Sequence, residues 1–165
     1  MKRTAALTAV LLLFAAYAAA QDSKSIYKKY SDMDEVNAVY ISSSMFNLIG
    51  KLPSINISES TDEINMAPLV KSLNSMFVMD CNDERVCADM KKDVDKIIDK
   101  HKMELLMEAK KQGETVRVYI TGNEKTVTAF ILTASSRDGF TFISLDGNMN
   151  RKELEKAIAS AAESL

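Results

Sequence analysis

From Met103 to Leu145 the chain runs in strand-length apolar stretches, the first two alternating apolar and polar with a period of two, and three turn signals cut them: Gln112-Gly113, Gly122-Asn123 and Asp138-Gly139. The intervening runs are rich in β-branched and aromatic residues: Thr115-Val-Arg-Val-Tyr-Ile-Thr121, Thr126-Val-Thr-Ala-Phe-Ile-Leu-Thr133 and Phe140-Thr-Phe-Ile-Ser-Leu145. Side chains of that shape fit a pleated, half-buried surface, while Gly and Asn accept the positive φ that tight hairpins require. The stretch predicts a four-stranded antiparallel meander.

Its two halves differ. In the first, Met103, Leu105, Met107 and Ala109 share one face, as do Val116, Val118 and Ile120; Glu104, Glu108, Thr115, Arg117 and Thr121 take the other. In the second half Val127, Ala129 and Ile131 oppose Phe130 and Leu132, and Phe140 and Phe142 oppose Ile143 and Leu145. A sheet with one wet face does not carry large apolar groups on both. The second face needs cover, from the N-terminal arm, from the loop at 51–65 or from a partner. Phe130, Leu132, Phe140 and Phe142 therefore mark a candidate interaction face.

Before the meander, residues 21–33 are polar apart from Tyr27 and Tyr30 and predict a short helix or an arm on the domain. Glu35 to Ser42 reads as a strand. Ser43 and Ser44 suit a helix start, with Met45, Phe46, Leu48 and Ile49 apolar before Gly50. Lys51 to Asn65, with Pro53 and a Ser/Asn/Glu/Asp cluster, predicts a mobile surface loop. Met66 to Ser72 predicts one or two helical turns, and Leu73 to Asp80 a second strand. Asp83 to Lys102 has the clearest helical period, with Val86, Met90, Val94, Ile97 and Ile98 on one stripe and Asn82 or Asp83 as cap. After the meander, Asn150 and Glu153 stand in capping-box positions and Met149 and Leu154 in staple positions. Leu154, Ala157, Ile158, Ala161 and Leu165 then form the buried stripe of a final helix. The order predicts an α+β fold: a mostly antiparallel sheet of five to six strands, including the C-terminal meander, with helices packed on one face.

The first twenty residues stand apart. Lys2 and Arg3 precede an apolar run from Ala5 through Ala20, and Ala18-Ala19-Ala20 offers signal peptidase its small residues. The run is shorter than the roughly 20 apolar residues a membrane-spanning helix needs. The expectation is a signal peptide over 1–20, cleavage near Ala20, and a single α+β domain over 21–165 in the periplasm or secreted. No later stretch is long and apolar enough to span a bilayer. Gln21 stands where a lipoprotein carries its acylated cysteine, so no lipid anchor is expected. The 21 basic residues less Lys2 and Arg3, against 23 acidic ones, leave a net charge of −4, well mixed along the chain. That is no electrostatic footprint for nucleic acid or an anionic membrane.

Several segments taken together resemble a known family: Tyr30-Ser31-Asp32, Val39-Tyr40-Ile41-Ser42 with Met45, Glu104-Leu105-Leu106-Met107, Val116-Arg117-Val118-Tyr119-Ile120 and Ile143-Ser144-Leu145-Asp146-Gly147-Asn148. The chain resembles the small exported Bacteroidetes-type proteins of domain of unknown function 4252, from about Tyr27 to about Leu154. The resemblance implies a signal sequence, an α+β domain in the cell envelope and no known activity, and it brings no catalytic residues. Many members look like lipoproteins; this chain departs from them at Gln21.

Candidate chemistry is sparse. Cys81 and Cys87, the two cysteines, close a short loop between a strand end and the first turn of a helix, within bridging reach. In an oxidising compartment a structural disulfide is the expectation, with two buried free thiols as the alternative. A redox-active pair would normally read Cys-x2-Cys. His101, the single histidine, lies fourteen residues beyond Cys87 on one predicted helix, roughly 21 Å away at about 1.5 Å per residue. Neither a Cys–His pair nor a shared zinc site spans that distance. His101 reads instead as a cation near a helix C-terminus. Counted from Asp80, a calcium loop would have Arg85 where glycine belongs and Lys91 where glutamate belongs. The methionines read as core rather than copper ligands.

No catalytic, cofactor-binding or metal-ligating set is recognisable, and no cofactor is expected. The sequence reads as an exported, non-catalytic cell-envelope module that binds an envelope protein or forms a homo-oligomer through a sheet face. The alternative is a small periplasmic enzyme or ligand carrier with its site near the 51–65 loop.

Overall fold

The computed structural model describes residues 22–49 and 67–162. The expected signal peptide, the loop from Lys51 to Asn65 and Leu165 lie outside the described residues. Residues 22–30 form α1. There follow β1 (Val36–Ser42), α2 (Ser43–Ile49), α3 (Ala67–Lys71), β2 (Leu73–Cys81), α4 (Glu84–Lys100), β3 (Glu104–Lys111), β4 (Glu114–Gly122), β5 (Thr126–Ser135), β6 (Phe140–Asn150) and α5 (Arg151–Ala162). One six-stranded sheet has the order β1-β2-β6-β5-β4-β3, and every neighbouring pair is antiparallel. The α+β class and the meander, β3 through β6, are as the sequence indicates.

Local chemistry sets the element ends. Asp83 Oδ1 accepts from the backbone N–H groups of Arg85 and Val86 at 3.1 and 3.0 Å, capping α4. Asn150 Oδ1 does the same for Lys152 and Glu153 at the start of α5. The β3–β4 hairpin turns on Gln112 (φ 52°) and Gly113 (φ 87°), two consecutive positive-φ positions of the kind a two-residue hairpin needs. At the β5–β6 turn a Cβ on Gly139 would stand 2.6 Å from the Cys81 carbonyl oxygen, so only glycine lets the turn lie against the end of β2.

Topology explains α4. It joins β2 to β3 on the far edge, a step of four strands or about 19 Å at ~4.8 Å each. A helix of 17 residues is about 25 Å long and crosses that width. Met90, Val94, Ile97 and Ile98 face inward from α4, joined by Ile26 and Tyr30 of α1. They pack on Met79, Ala129, Ile131 and Phe142. A second cluster on the opposite face sets Phe46 of α2, Leu69 of α3 and Leu154 of α5 against Leu73, Val118, Ile120, Val127 and Phe130. Helices thus cover both faces of the sheet, where the sequence reading set them on one. The two-sided apolar character of β5 and β6 is the consequence. The N-terminal arm covers the α4 face, while α2, α3 and α5 cover the other.

Two assignments within the meander change for one reason. A register shift between Leu105 and Met107 turns Leu105 away from Met107, leaving Leu105 51% exposed while Leu106 and Met107 pack inward. A second shift, between Val127 and Ala129, moves Val127 to the Phe130 face and away from Ala129 and Ile131. An extra residue in a strand reverses every side chain beyond it.

Candidate functional site

Cys81, the last residue of β2, and Cys87, in the first turn of α4, are joined as a disulfide with their Cα atoms 5.7 Å apart. Both are buried, so the bridge ties the sheet to its crossover helix rather than presenting a thiol. A bonded pair is what an oxidising, extracytoplasmic location sustains. Beside it lies a cleft of about 370 Å³, lined among others by Asn82, Glu84, Lys91, Arg137, Asp138 and Phe140. Among the described residues no group of three or more His, Cys, Asp or Glu side chains is placed to hold a metal ion, and no helix is long and apolar enough to cross a membrane.

Phe130, Leu132, Phe140 and Phe142 do not form one surface. Phe140 and Phe142 lie in the core beneath α4, whereas Phe130 and Leu132 belong to the cluster beneath the other helices. Phe130, Phe140 and Phe142 are buried and Leu132 is half-buried, so in this fold they are packing residues.

Two acid-centred clusters fasten α1 to α4. Asp93 accepts from Lys29 Nζ at 2.6 Å, from the Tyr30 hydroxyl at 2.9 Å and from Lys96 Nζ at 2.8 Å. These bonds, from Lys29 first, hold its carboxyl well below the usual carboxylate range. Asp22 Oδ2 lies 2.7 Å from Lys100 Nζ and 2.8 Å from His101 Nε2. Burial works against this carboxylate, yet the two hydrogen bonds together leave it below its ordinary value. His101 stands at the C-terminus of α4, where the helical period puts it; its carboxylate partner, 79 residues earlier, has no local signature.

Asp146 is the group that sequence reasoning missed. It is 3% exposed, sits where β6 meets the register shifts of both β2 and β5, and receives a hydrogen bond from Ser75 Oγ at 3.0 Å on Oδ2. Oδ1 is buried and has no partner among the described residues. Desolvation pushes this carboxyl up to about 6, against the smaller opposing effect of Ser75.

The surface feature that stands out is the contrast between the two sheet edges. β3, at one edge, carries Glu104, Glu108, Lys110 and Lys111 and an internal register shift. Charges and bulges are how proteins keep an edge from pairing with foreign strands. β1, at the other, reads VNAVYIS with no charge and no proline, and its seven residues pair with β2 without a break. Four large apolar side chains are exposed here: Val39 (52%) and Tyr40 (47%) on β1, Met45 (47%) and Leu48 (58%) on α2. Val39 and Tyr40 point to opposite faces, so the edge is apolar above and below. The uncharged run from Val36 to Ser42 is visible in the sequence; that it forms an edge is not.

A family model described as Domain of unknown function (DUF4252) matches residues 27–157. No curated protein matches the chain.

Proposed function

This chain belongs to the DUF4252 family, and from that premise we propose a non-catalytic binding module of the cell envelope that takes up a further β-strand along β1. The observation that carries the reading is the unguarded edge: a straight, uncharged strand flanked by exposed Val39, Tyr40, Met45 and Leu48, opposite an edge guarded by four charges. Strand addition supplies affinity through main-chain hydrogen bonds, with alternate side chains giving specificity. This moves the binding surface from the sheet faces, which helices cover, to the sheet edge.

Export is part of the proposal. It is supported by the basic and apolar pattern of residues 1–20 and by a disulfide that a reducing cytosol would not maintain. The product is expected to begin at Gln21, which intact-mass measurement of the protein recovered from cells checks directly.

The edge reading is tested by placing a photo-crosslinking amino acid at position 40 on β1 or at position 110 on β3 and irradiating intact cells. Adducts from position 40 and few or none from position 110 are expected. Equal yields, or none from position 40, would remove the basis of the reading. The alternative enzyme or carrier reading places its site near the 51–65 loop, outside the described residues.

A further inference from the structure

We propose that the strand taken up by β1 is β1 of a second copy, running antiparallel with Val39 on the two-fold axis; this rests on the edge reading above. Charge is the first argument. Antiparallel self-pairing sets each residue against its own strand, so a charge near the middle of β1 would meet a like charge across the junction. Val36–Ser42 has none, whereas β3 carries Glu104, Glu108, Lys110 and Lys111, charges that a junction there would have to desolvate.

Length and shape set the register. Val39 is the midpoint of the seven-residue strand, so a two-fold axis there pairs every residue, Val36 with Ser42 at the ends. Any other axis leaves strand ends unpaired. In this register Tyr40 lies opposite Ala38, a large side chain beside a small one, and Ile41 lies opposite Asn37. Tyr40 and Ala38 share the face of the aromatic group formed by Tyr27, Tyr40 and Phe77. Each Tyr40 would extend that packing across the junction over the neighbour's Ala38. On the opposite face the two Val39 side chains meet. Ile41 of that face packs in one cluster with Phe46 of α2, which places α2, with exposed Met45 and Leu48, on the same side of the junction. Two six-stranded sheets become one continuous sheet of twelve strands, and neither copy is left with an unguarded edge.

The test uses the processed protein with its native disulfide intact. Facing residues of an antiparallel pair have Cα atoms about 4.5–5.5 Å apart, inside disulfide range. Val39→Cys should therefore give a covalent dimer under mild oxidation. In the same register two Ser42 residues lie six positions apart along the strand, roughly 20 Å. Ser42→Cys should link at least about tenfold less. Sedimentation of the unmodified protein should show a dimer that dissociates on dilution, and Val39→Lys should sediment as a monomer with unchanged circular dichroism. A wild-type dimer in which Ser42→Cys links as well as Val39→Cys, or neither links, overturns the register. A monomeric wild type whose position-40 adduct in cells has a foreign mass overturns self-pairing and leaves the edge reading standing. A monomer with no position-40 adduct overturns both.

Discussion

The Tyr40 ring stacks on Phe77 with centroids 5.0 Å apart and 19° between planes, although Phe77 is 2% exposed and Tyr40 47%. The buried ring holds the exposed one in a fixed orientation at the open side of β1, so little side-chain freedom remains to be lost on binding. Tyr40→Ala should cost about 1 kcal/mol of stability, the usual size of an aromatic pair at a half-exposed site. Its effect on association should exceed its effect on folding. Denaturant melts and the position-39 cross-link yield, measured on the same variant, separate the two.

Asp146 should make the protein less stable as pH rises. Its carboxyl is raised in the folded chain from 3.8 to about 6, so the folded state favours the neutral acid. Below about pH 4 both states are protonated and no cost appears. Between 4 and 6 the unfolded chain ionises first, and above 6 the full cost of a buried carboxylate is present. That cost is about 2–3 kcal/mol, because each tenfold change in an acid constant corresponds to ~1.4 kcal/mol. Asp146→Asn removes the titration. The variant should gain on the wild type between pH 4 and pH 7 in urea midpoints taken across that range, and a constant difference would show that Asp146 does not titrate as described.

Cys81 and Cys87 close a loop of sequence separation 6. For so short a loop the chain-entropy account gives about 2–2.5 kcal/mol. Reduction, or replacing both cysteines with serine, should lower the free energy of unfolding by that amount and leave far-ultraviolet circular dichroism intact, because α4 keeps its Asp83 cap and its buried stripe.

Asp93 works in the opposite pH direction from Asp146. Its carboxyl is lowered by Lys29, Lys96 and Tyr30, so its contribution is present above about pH 4 and fades as acid protonates it in the folded chain. Lys29 is 55% exposed and solvent screens that pair. Most of the effect should come through the hydroxyl of Tyr30, whose residue is 1% exposed. Asp93→Ala should cost about 1–2 kcal/mol at pH 7. A double-mutant cycle with Tyr30→Phe should recover most of it as coupling, and a cycle with Lys29→Ala little.

Local signals were legible where one residue type has one job. Asp83 and Asn150 announce helix starts, Gln112-Gly113 announces a hairpin, and Met90, Val94, Ile97 and Ile98 announce a buried stripe. Phe130 and Leu132 against Ile131 correctly signalled a sheet apolar on both faces. They could not say what covers it, because a strand pattern records burial and not the identity of the cover. The bulges next to Leu105 and Val127 were hidden for a similar reason: an alternating run reads the same with an extra residue until the partner strand is known. Strand order was the largest gap. Antiparallel β6 beside β2 joins the meander to β1–β2 and leaves β1 outermost, and that pairing spans the chain from Leu73 to Gly147 with no local signature. The sequence pattern therefore pointed to Phe130, Leu132, Phe140 and Phe142, which the helices cover, while four of the exposed large apolar side chains stand together on β1 and α2.

The unguarded edge is tested most directly by one comparison in intact cells: the yield of photo-crosslinked adduct from position 40 in the wild-type background and with Val39→Lys. A single lysine next to the probe supplies the gatekeeper charge that β1 lacks, on a side chain already 52% exposed. The account predicts that the adduct falls about tenfold or more, as desolvating one charge at an apolar junction implies, while the melting temperature of the purified variant stays within a few degrees. An adduct of undiminished yield in the lysine background would contradict it.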